Sequence, residues 1–339
     1  MMFRRLLTIA VVSSLAAGIV PARAEQEPIR TGRPVHTYSI VARDPATGQL
    51  GVAVQSHWFS VGSVVPWAEA GVGAVATQSF VEASYGPLGL DLMRLGRTAS
   101  QALDALISTD PNADVRQVAM IDADGNVAAH TGSHCIIAAG HHTGSQYSAQ
   151  ANLMEKDTVW RAMAEAYEGA EGDLAERLLV ALEAAEKEGG DIRGRQSAAI
   201  IVVAAQSTGR PWQDRLFDLR VEDNQRPVEE LRRLVGLQRA YRKLNEGDEL
   251  WTLRKVDEAM AAYQAAAAAA PDAATNGEAA FWIGITLANG ADPGLAIPYL
   301  QRAYVQDTRW ATLVERLPAA NLLPEDPGLV KRLVEGMRR

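Results

Sequence analysis

Cysteine is almost absent from this chain of 339 residues, because Cys135 is the single one. One cysteine cannot form a disulfide within the chain, so an oxidising compartment would add no covalent cross-link. An excess of positive charge is also lacking. The formal net charge is -8, which argues against a nucleic-acid-binding protein, since such proteins carry a basic patch. The length allows about two domains, each with its own apolar core.

Long apolar runs are missing everywhere except at the N-terminus, where residues 1–24 predict a secretory signal peptide. Two arginines precede the apolar stretch 6–20, and small residues favour cleavage after Ala24. Cleavage would place the protein in the periplasm or outside the cell and leave residues 25–36 as a linker. Because no apolar run reaches the length of a membrane span, we expect no membrane attachment after signal removal.

Apolar and alternating runs predict a first domain, residues 37–235, in which strands and helices are grouped. This grouping favours an α+β fold with facing sheets and helix pairs outside them. The predicted strands are 37–43, 50–56, 72–79, 115–122, 126–131, 146–151, 197–205 and 214–221. The predicted helices are 88–95, 98–107 (opened by a Thr98 cap), 157–168, 173–187 (ended by Gly189 and Gly190) and 228–244.

Residues 236–339 predict a small all-helical domain with two weak repeats. Gly247, Ala259, Tyr263 and Ala266 recur as Gly284, Ala296, Leu300 and Ala303. Their spacing is typical of a tetratricopeptide (TPR) helical hairpin, a module that binds protein partners. An ordinary alanine-rich hairpin is the alternative.

Thr37 stands at the first position of the first predicted strand. An N-terminal nucleophile (Ntn) hydrolase uses such a Thr hydroxyl to attack an amide, with its own free α-amine as base. The mechanism requires that no residue precede Thr37. Since lysine first occurs at Lys156, no lysine of the opening strands could assist, and His57 and Arg43 are the nearby alternatives. His57 is also a candidate for substrate binding. A Thr that merely begins an edge strand is the competing interpretation.

Amide side chains end two other predicted strands, at Gln78 and at Gln150 with Asn152. Such groups can donate to an oxyanion, which makes Gln78 and Asn152 candidates for catalysis, or they can satisfy loop backbone. We find no G-x-S-x-G elbow, P-loop or dinucleotide-binding fingerprint, and no cofactor is indicated.

A charged, glycine-rich segment precedes the strand at 197–205. Arg193 or Arg195 could hold a carboxylate of the substrate, with Asp191 orienting them and Gln196 beside them. A local ion pair after a helix end is the alternative.

Histidines and Cys135 cluster between residues 130 and 142, which raises the question of a zinc site. Glycines at 132, 140 and 144 are expected to break this segment into turns, so no helical ligand pair forms, and we predict no metal. His141 is the candidate for a substrate-binding histidine.

Several motifs in order carry a resemblance. They are Thr37-Tyr38-Ser39-Ile40-Val41-Ala42, Gly51 to Phe59, Val64-Val65-Pro66-Trp67-Ala68, Gly71 to Gln78, Tyr85-Gly86-Pro87, Thr131-Gly132, Gly140-His141 and Gly189 to Ala199. On these motifs residues 37–235 resemble a bacterial domain family of unknown function within the Ntn hydrolase superfamily. The resemblance implies a four-layer αββα sandwich, and it implies no particular reaction.

Two departures from the family pattern matter. Many relatives begin close to the Thr, whereas cleavage after Ala24 would leave the residues Glu25 to His36 in front of Thr37. Some relatives also carry lysine where this chain has His57. The sequence therefore leaves two hypotheses open: an exported amidohydrolase acting on a small or peptide-like amide, or a catalytically silent binding scaffold. In the second, the C-terminal helices recruit a protein partner or the protein forms a homo-oligomer.

Overall fold

The structure is a computed structural model that describes residues 35–290 and 293–339. The predicted signal peptide, its cleavage site after Ala24 and residues 25–34 of the linker lie outside the described residues. In the described part, two antiparallel sheets combine with eleven α-helices, and the C-terminal region is helical. None of these helices is long and apolar enough to cross a membrane.

Ten strands are present in the described residues. They are β1 (Thr37–Arg43), β2 (Leu50–Ser56), β3 (Pro66–Glu69), β4 (Gly73–Ser79), β5 (Arg116–Asp122), β6 (Val127–Thr131), β7 (Gly140–Gly144), β8 (Tyr147–Ala151), β9 (Ser197–Val203) and β10 (Arg215–Val221). One sheet has the order β10-β9-β2-β1-β8-β7 and the other the order β3-β4-β5-β6. In β1, Thr37 pairs with Ser56 of β2, and Tyr38 pairs with Ala151 of β8.

The helices fall between the strands and after them. They are α1 (Tyr85–Arg94), α2 (Ala99–Ile107), α3 (Val159–Gly169), α4 (Leu174–Glu188), α5 (Pro211–Asp214), α6 (Pro227–Thr252), α7 (Val256–Ala269), α8 (Glu278–Ala288), α9 (Ile297–Gln306), α10 (Trp310–Arg316) and α11 (Pro327–Met337).

Alternation along β1 places its residues in two different apolar clusters. Tyr38 and Ile40 pack with helices α3 and α4, whereas Val41 faces Ala76 and Ile121 of the four-stranded sheet. A third cluster covers the outer face of that second sheet with α1 and α2. Two facing sheets therefore each carry helices on the outer face.

Helix ends follow from local chemistry and confirm two of the predicted signals. Thr98 forms a capping box with Gln101 at the start of α2, which satisfies two backbone N–H groups. At the C-terminal end of α4, Gly189 takes a φ of 125°, a conformation that would be strained for a residue with a side chain.

The prediction that glycines break residues 132–144 into turns is wrong for residues 140–144, which form β7. Gly140 pairs with Ala151, and Gly144 pairs with Tyr147. A Cβ on Gly140 would lie 2.5 Å from the Trp160 ring, and one on Gly144 would lie 2.2 Å from the Tyr147 ring. An aromatic ring packs closely against each of these glycines, so a side chain would not fit there. A sequence pattern cannot distinguish a glycine that such packing requires from a glycine that forms a turn.

The C-terminal helices pack through small residues at the positions of the predicted repeat. A Cβ on Gly247 of α6 would lie 2.3 Å from the Tyr263 ring of α7, and one on Gly284 of α8 would lie 2.7 Å from Leu300 of α9. The domain boundary predicted at 235/236 falls inside the continuous helix α6, and both the boundary and the TPR-like character stay predictions.

Candidate functional site

At the Thr37 end of the molecule the space between the two sheets is polar instead of apolar. The inward side chains there form a buried amide network, which we define as Ser39, Gln78, Gln117, Gln150 and Asn152, all fully buried. Gln78 accepts a hydrogen bond from Ser39 Oγ at 2.7 Å, and Gln150 Nε2 donates to the same Ser39 Oγ at 2.6 Å. Buried amides are stable only when paired in this way.

Gln117 is the centre of the network, and its neighbours fix which of its amide atoms is nitrogen. Its Nε2 faces three acceptors: Ala151 O at 2.9 Å, Thr131 Oγ1 at 3.0 Å and Gly140 O at 3.2 Å. Its Oε1 therefore accepts, from Gln78 Nε2 at 2.6 Å and from Asn152 Nδ2 at 2.8 Å.

This orientation determines the proton position on His36. Since Asn152 uses its Nδ2 on Gln117, its Oδ1 faces His36 Nδ1 at 2.7 Å and can accept only. His36 Nδ1 therefore carries a proton. Burial lowers the pKa of His36, the Asn152 hydrogen bond opposes this, and the positive charge of Arg193 lowers the pKa further. The neutral ring with its Nδ1 proton is the favoured form.

Thr37 is fully buried, and the network holds its backbone. Its carbonyl oxygen accepts from Gln78 Nε2 at 3.2 Å and from the backbone N–H of Asn152 at 3.1 Å. Its hydroxyl donates to Val35 O at 2.9 Å. The structure thus brings the three predicted catalytic residues together, but the two amides meet the carbonyl of Thr37 and not its hydroxyl.

The residues ahead of Thr37 are built into the sheets. Val35 forms a two-way backbone pair with Ser79, with N···O distances of 2.6 and 2.9 Å. Val35 is fully buried and His36 is 2% exposed. As the chain stands, the amine of Thr37 is the peptide nitrogen of a buried bond.

The carbonyl oxygen of His36 accepts two hydrogen bonds, from Ser56 Oγ at 2.5 Å and from Arg193 Nη2 at 2.8 Å. Asp191 fixes this arginine. Its carboxylate accepts from Arg193 Nε at 3.0 Å, from Arg193 Nη2 at 2.7 Å and from the backbone N–H of His57 at 3.1 Å. The side chain of Asp191 is fully buried, and its two-point contact holds Arg193 with one Nη2–H directed at the carbonyl before Thr37.

Other predicted site residues have partners elsewhere. Arg195 forms an ion pair with Glu186, which also accepts from Tyr38 OH, and Gln196 donates to Asp223 at 3.1 Å. The side chain of His57 is exposed, and its contact with Asp191 is through the backbone. The structure therefore separates Arg195 and Gln196 from Arg193, since successive residues of this turn point in different directions.

His141 lies at the mouth of a cavity of about 600 Å³ that Thr131, Cys135, Ile137 and Trp160 also line. Its Nδ1 is 2.8 Å from Thr131 Oγ1, which accepts from Gln117 in turn. The cavity is thereby connected to Thr37 by hydrogen bonds through the network. Among the described residues, no group of three or more His, Cys, Asp or Glu side chains could hold a metal ion.

Sequence reasoning missed His36, Ser56 and Gln117. A signal existed for Gln117, a polar residue on the inward face of an otherwise apolar strand that also carries Ala119 and Ile121. Ser56 ends one predicted strand and His36 precedes another. At such positions a single sequence does not distinguish a functional polar residue from an ordinary loop residue.

A sequence-family model described as a family of unknown function, DUF1028, matches residues 37–231, which is more than half of the chain. A crystal structure of protein SPO2555 from Silicibacter pomeroyi, of the same family, is similar at 31% sequence identity and a TM-score of 0.53. The similarity covers 59% of this chain and 84% of that one. No curated protein matches this chain. The chain belongs to the bacterial domain family of unknown function DUF1028.

Proposed function

We propose that this protein is an exported amide hydrolase of the Ntn type, in which Thr37 is the nucleophile after the chain ahead of it has been removed. Two facing sheets with helices outside, and a hydroxyl residue at the start of a central strand, support an Ntn-like αββα sandwich. The substrate is a small or peptide-like amide.

The observation that carries the proposal is the convergence of polar groups on the peptide bond between His36 and Thr37. Ser56 and Arg193 hold the carbonyl of this bond, and Gln78 and Asn152 hold the carbonyl of Thr37 that follows it. Preorganised donors around one carbonyl are what an acyl-transfer site needs.

In the mechanism, a free Thr37 amine accepts the proton of its own hydroxyl while Oγ1 attacks the amide carbon of the substrate. An α-amine has a pKa of about 7.7–8.0, so a useful fraction is neutral near neutral pH. The amine then donates the proton to the leaving nitrogen, and water hydrolyses the acyl-Thr37 ester.

The structure suggests a division of roles that differs from the sequence-based one. Both N–H groups of Gln78 serve Gln117 and the Thr37 carbonyl, and Asn152 Nδ2 serves Gln117. We therefore assign these two amides to positioning the Thr37 backbone. Arg193 and Ser56 are the donors that can hold the acyl oxygen.

The decisive test is the N-terminus of protein recovered from its native export route. Intact mass and N-terminal sequencing should find a population that begins at Thr37. That population should react with a hydroxyl-directed electrophile, and Thr37→Val should abolish the labelling, whereas Thr143→Val on exposed β7 should leave it unchanged. A mature chain that begins entirely at Glu25 would sink the nucleophile role.

One observation favours a second candidate, a catalytically silent binding protein. Val35 and His36 are as deeply buried as core residues. In the unprocessed chain the Thr37 nitrogen is therefore part of a peptide bond and cannot act as a base. In that case the C-terminal helices, which lie beyond the family match at 231, would recruit a protein partner. Deletion of residues 245–339 should then abolish partner capture, and unchanged capture would contradict the idea.

A further inference from the structure

The segment Val35–His36 occupies the space beside Thr37 in the way a bound peptide would. It is extended, it pairs with Ser79 at the end of β4 through two backbone hydrogen bonds, and it is almost completely buried. Pairing with the backbone of a strand is a common mode of peptide binding, in which backbone hydrogen bonds give affinity and pockets give specificity.

We propose that this space, which we call the Val35–His36 cleft, is the binding site for the acyl side of a peptide substrate, and that the protein's own segment fills it as a substrate mimic. This inference rests on the proposed function of Thr37. The ligand class is an extended peptide whose last residue has a flat, hydrogen-bonding ring and whose terminal carbonyl or carboxylate meets Arg193.

The pocket for the last side chain is defined by the contacts of His36. Asn152 Oδ1 accepts from the ring at 2.7 Å, and Phe80 packs edge to face against it with ring centroids 6.5 Å apart. Because the network fixes Asn152 as an acceptor here, the pocket favours a ring with an N–H donor at this position.

The carbonyl position is defined by Ser56 and Arg193. In the intact chain these donors hold a neutral peptide oxygen at 2.5 and 2.8 Å. A peptide that ends at this position presents a carboxylate instead. Because Asp191 takes Nε and one N–H of Nη2, the carboxylate meets a single Nη2–H of Arg193 together with Ser56 Oγ. A charged donor of this kind binds a carboxylate more strongly than a neutral carbonyl. The cleft should therefore prefer peptides with a free C-terminal acid.

The backbone of Ser79 supports a recognition role. Its φ is 71°, in the left-handed region that non-glycine residues seldom adopt. Such conformations persist where the surroundings determine them and are concentrated at ligand-binding sites. Here the conformation ends β4 and presents the N–H and C=O of Ser79 to Val35.

The experiment uses the full chain with the segment released and the nucleophile silenced. Val35→Pro removes the N–H that donates to Ser79, His36→Gly removes the ring, and Thr37→Val removes the hydroxyl. The probe is a dye-labelled peptide with the sequence of residues 25–36 and a free C-terminal acid, and binding is followed by fluorescence anisotropy. Circular dichroism checks that each variant is folded.

We expect the release variant to bind the acid peptide and the C-terminal amide form about 10- to 100-fold more weakly, since a charge-assisted bond is lost. Adding Arg193→Gln should weaken the acid peptide by a similar factor. Adding Arg195→Gln, a matched control whose partner is Glu186, should not. No binding, or equal binding of acid and amide, would overturn the inference.

A second measurement follows hydrogen exchange at the Ser79 amide, which Val35 O holds at 2.9 Å in the intact chain. In the release variant, where the segment is displaced, acid peptide should cover this amide and slow its exchange, whereas the amide form of the peptide should have less effect. Exchange that is independent of peptide contradicts the cleft.

The outcomes separate the two proposals. Peptide binding with a Thr37 that is never freed or labelled would keep the cleft and remove the hydrolase. Labelling of Thr37 and amide turnover without peptide binding would keep the hydrolase and remove the cleft.

Discussion

His36 connects the residues ahead of Thr37 to the amide network and to the Asp191–Arg193 pair. Its ring contacts Asn152, its carbonyl contacts Arg193 and Ser56, and it is 2% exposed. Because burial lowers the pKa of His36, the folded protein keeps this ring neutral at a pH where a histidine of the unfolded chain begins to bind a proton. Proton binding by this residue is thus coupled to folding.

The sign of the coupling gives a prediction. Below about pH 6.5 the unfolded chain binds more protons than the folded chain at this residue, so the free energy of unfolding falls as the pH decreases. Chemical denaturation between about pH 7.5 and about pH 5.5 should show a smaller fall for His36→Gln than for the wild type. An NMR titration of the ring should find a lower pKa in the folded than in the unfolded chain. Equal losses in both proteins would contradict the assignment.

Helices α6 and α7 approach each other closely at one glycine within their shared apolar cluster. Gly247 faces the ring of Tyr263, and the Tyr263 hydroxyl is held by Asp248 Oδ1 at 2.7 Å, so the ring cannot easily move away. A Cβ on Gly236, in the same helix, would lie 3.8 Å from Ala269 O, which is an ordinary van der Waals distance. The two glycines therefore differ in packing and not in secondary structure.

Gly247→Ala and Gly236→Ala test this contact as a matched pair. Overpacking at Gly247 should cost about 1–3 kcal/mol in the free energy of unfolding. At Gly236 the higher helix propensity of alanine should instead stabilise by about 0.5–1 kcal/mol. Denaturant unfolding with a common m-value measures both. If the two variants change the free energy of unfolding in the same direction, the close contact between Gly247 and Tyr263 does not limit the residue size at Gly247.

The attachment of α6 to the rest of the molecule combines apolar and charged contacts. Val228, Leu231 and Val235 lie in the cluster of the six-stranded sheet, and Leu231 is fully buried. On the adjacent face, Arg232 pairs with Glu176 and Glu183 of α4, and its side chain is 38% exposed. Solvent-exposed ion pairs contribute little on balance, so the apolar face should dominate.

Leu231→Ala and Arg232→Ala, at neighbouring positions, measure the two contributions. Leu231→Ala should lower the free energy of unfolding by about 2–5 kcal/mol, because it leaves a cavity between α6 and the sheet. Arg232→Ala should lower it by at most about 1 kcal/mol, and by less at high salt. A larger loss for Arg232→Ala would mean that the ion pairs hold the C-terminal helices in place.

How much the sequence predicts depends on the range of the interaction. The strands at 37–43 and 50–56 and the caps at Thr98 and Gly189 follow from alternation and local hydrogen bonding, and the structure has them there. The strand β7 was missed because its glycines are required by Trp160 and Tyr147, which contact them only in the folded sheet.

The sequence by itself determined the periodicity of the strands, the single cysteine, the acidic charge and the family to which residues 37–231 belong. Tertiary structure decided which polar residues meet. Gln117, Asn152 and Arg193 come from distant segments and converge on Thr37 because two sheets face each other with a polar end. It also placed Val35 and His36 against the end of β4, since backbone pairing with Ser79 depends on the position of β4 and not on any motif.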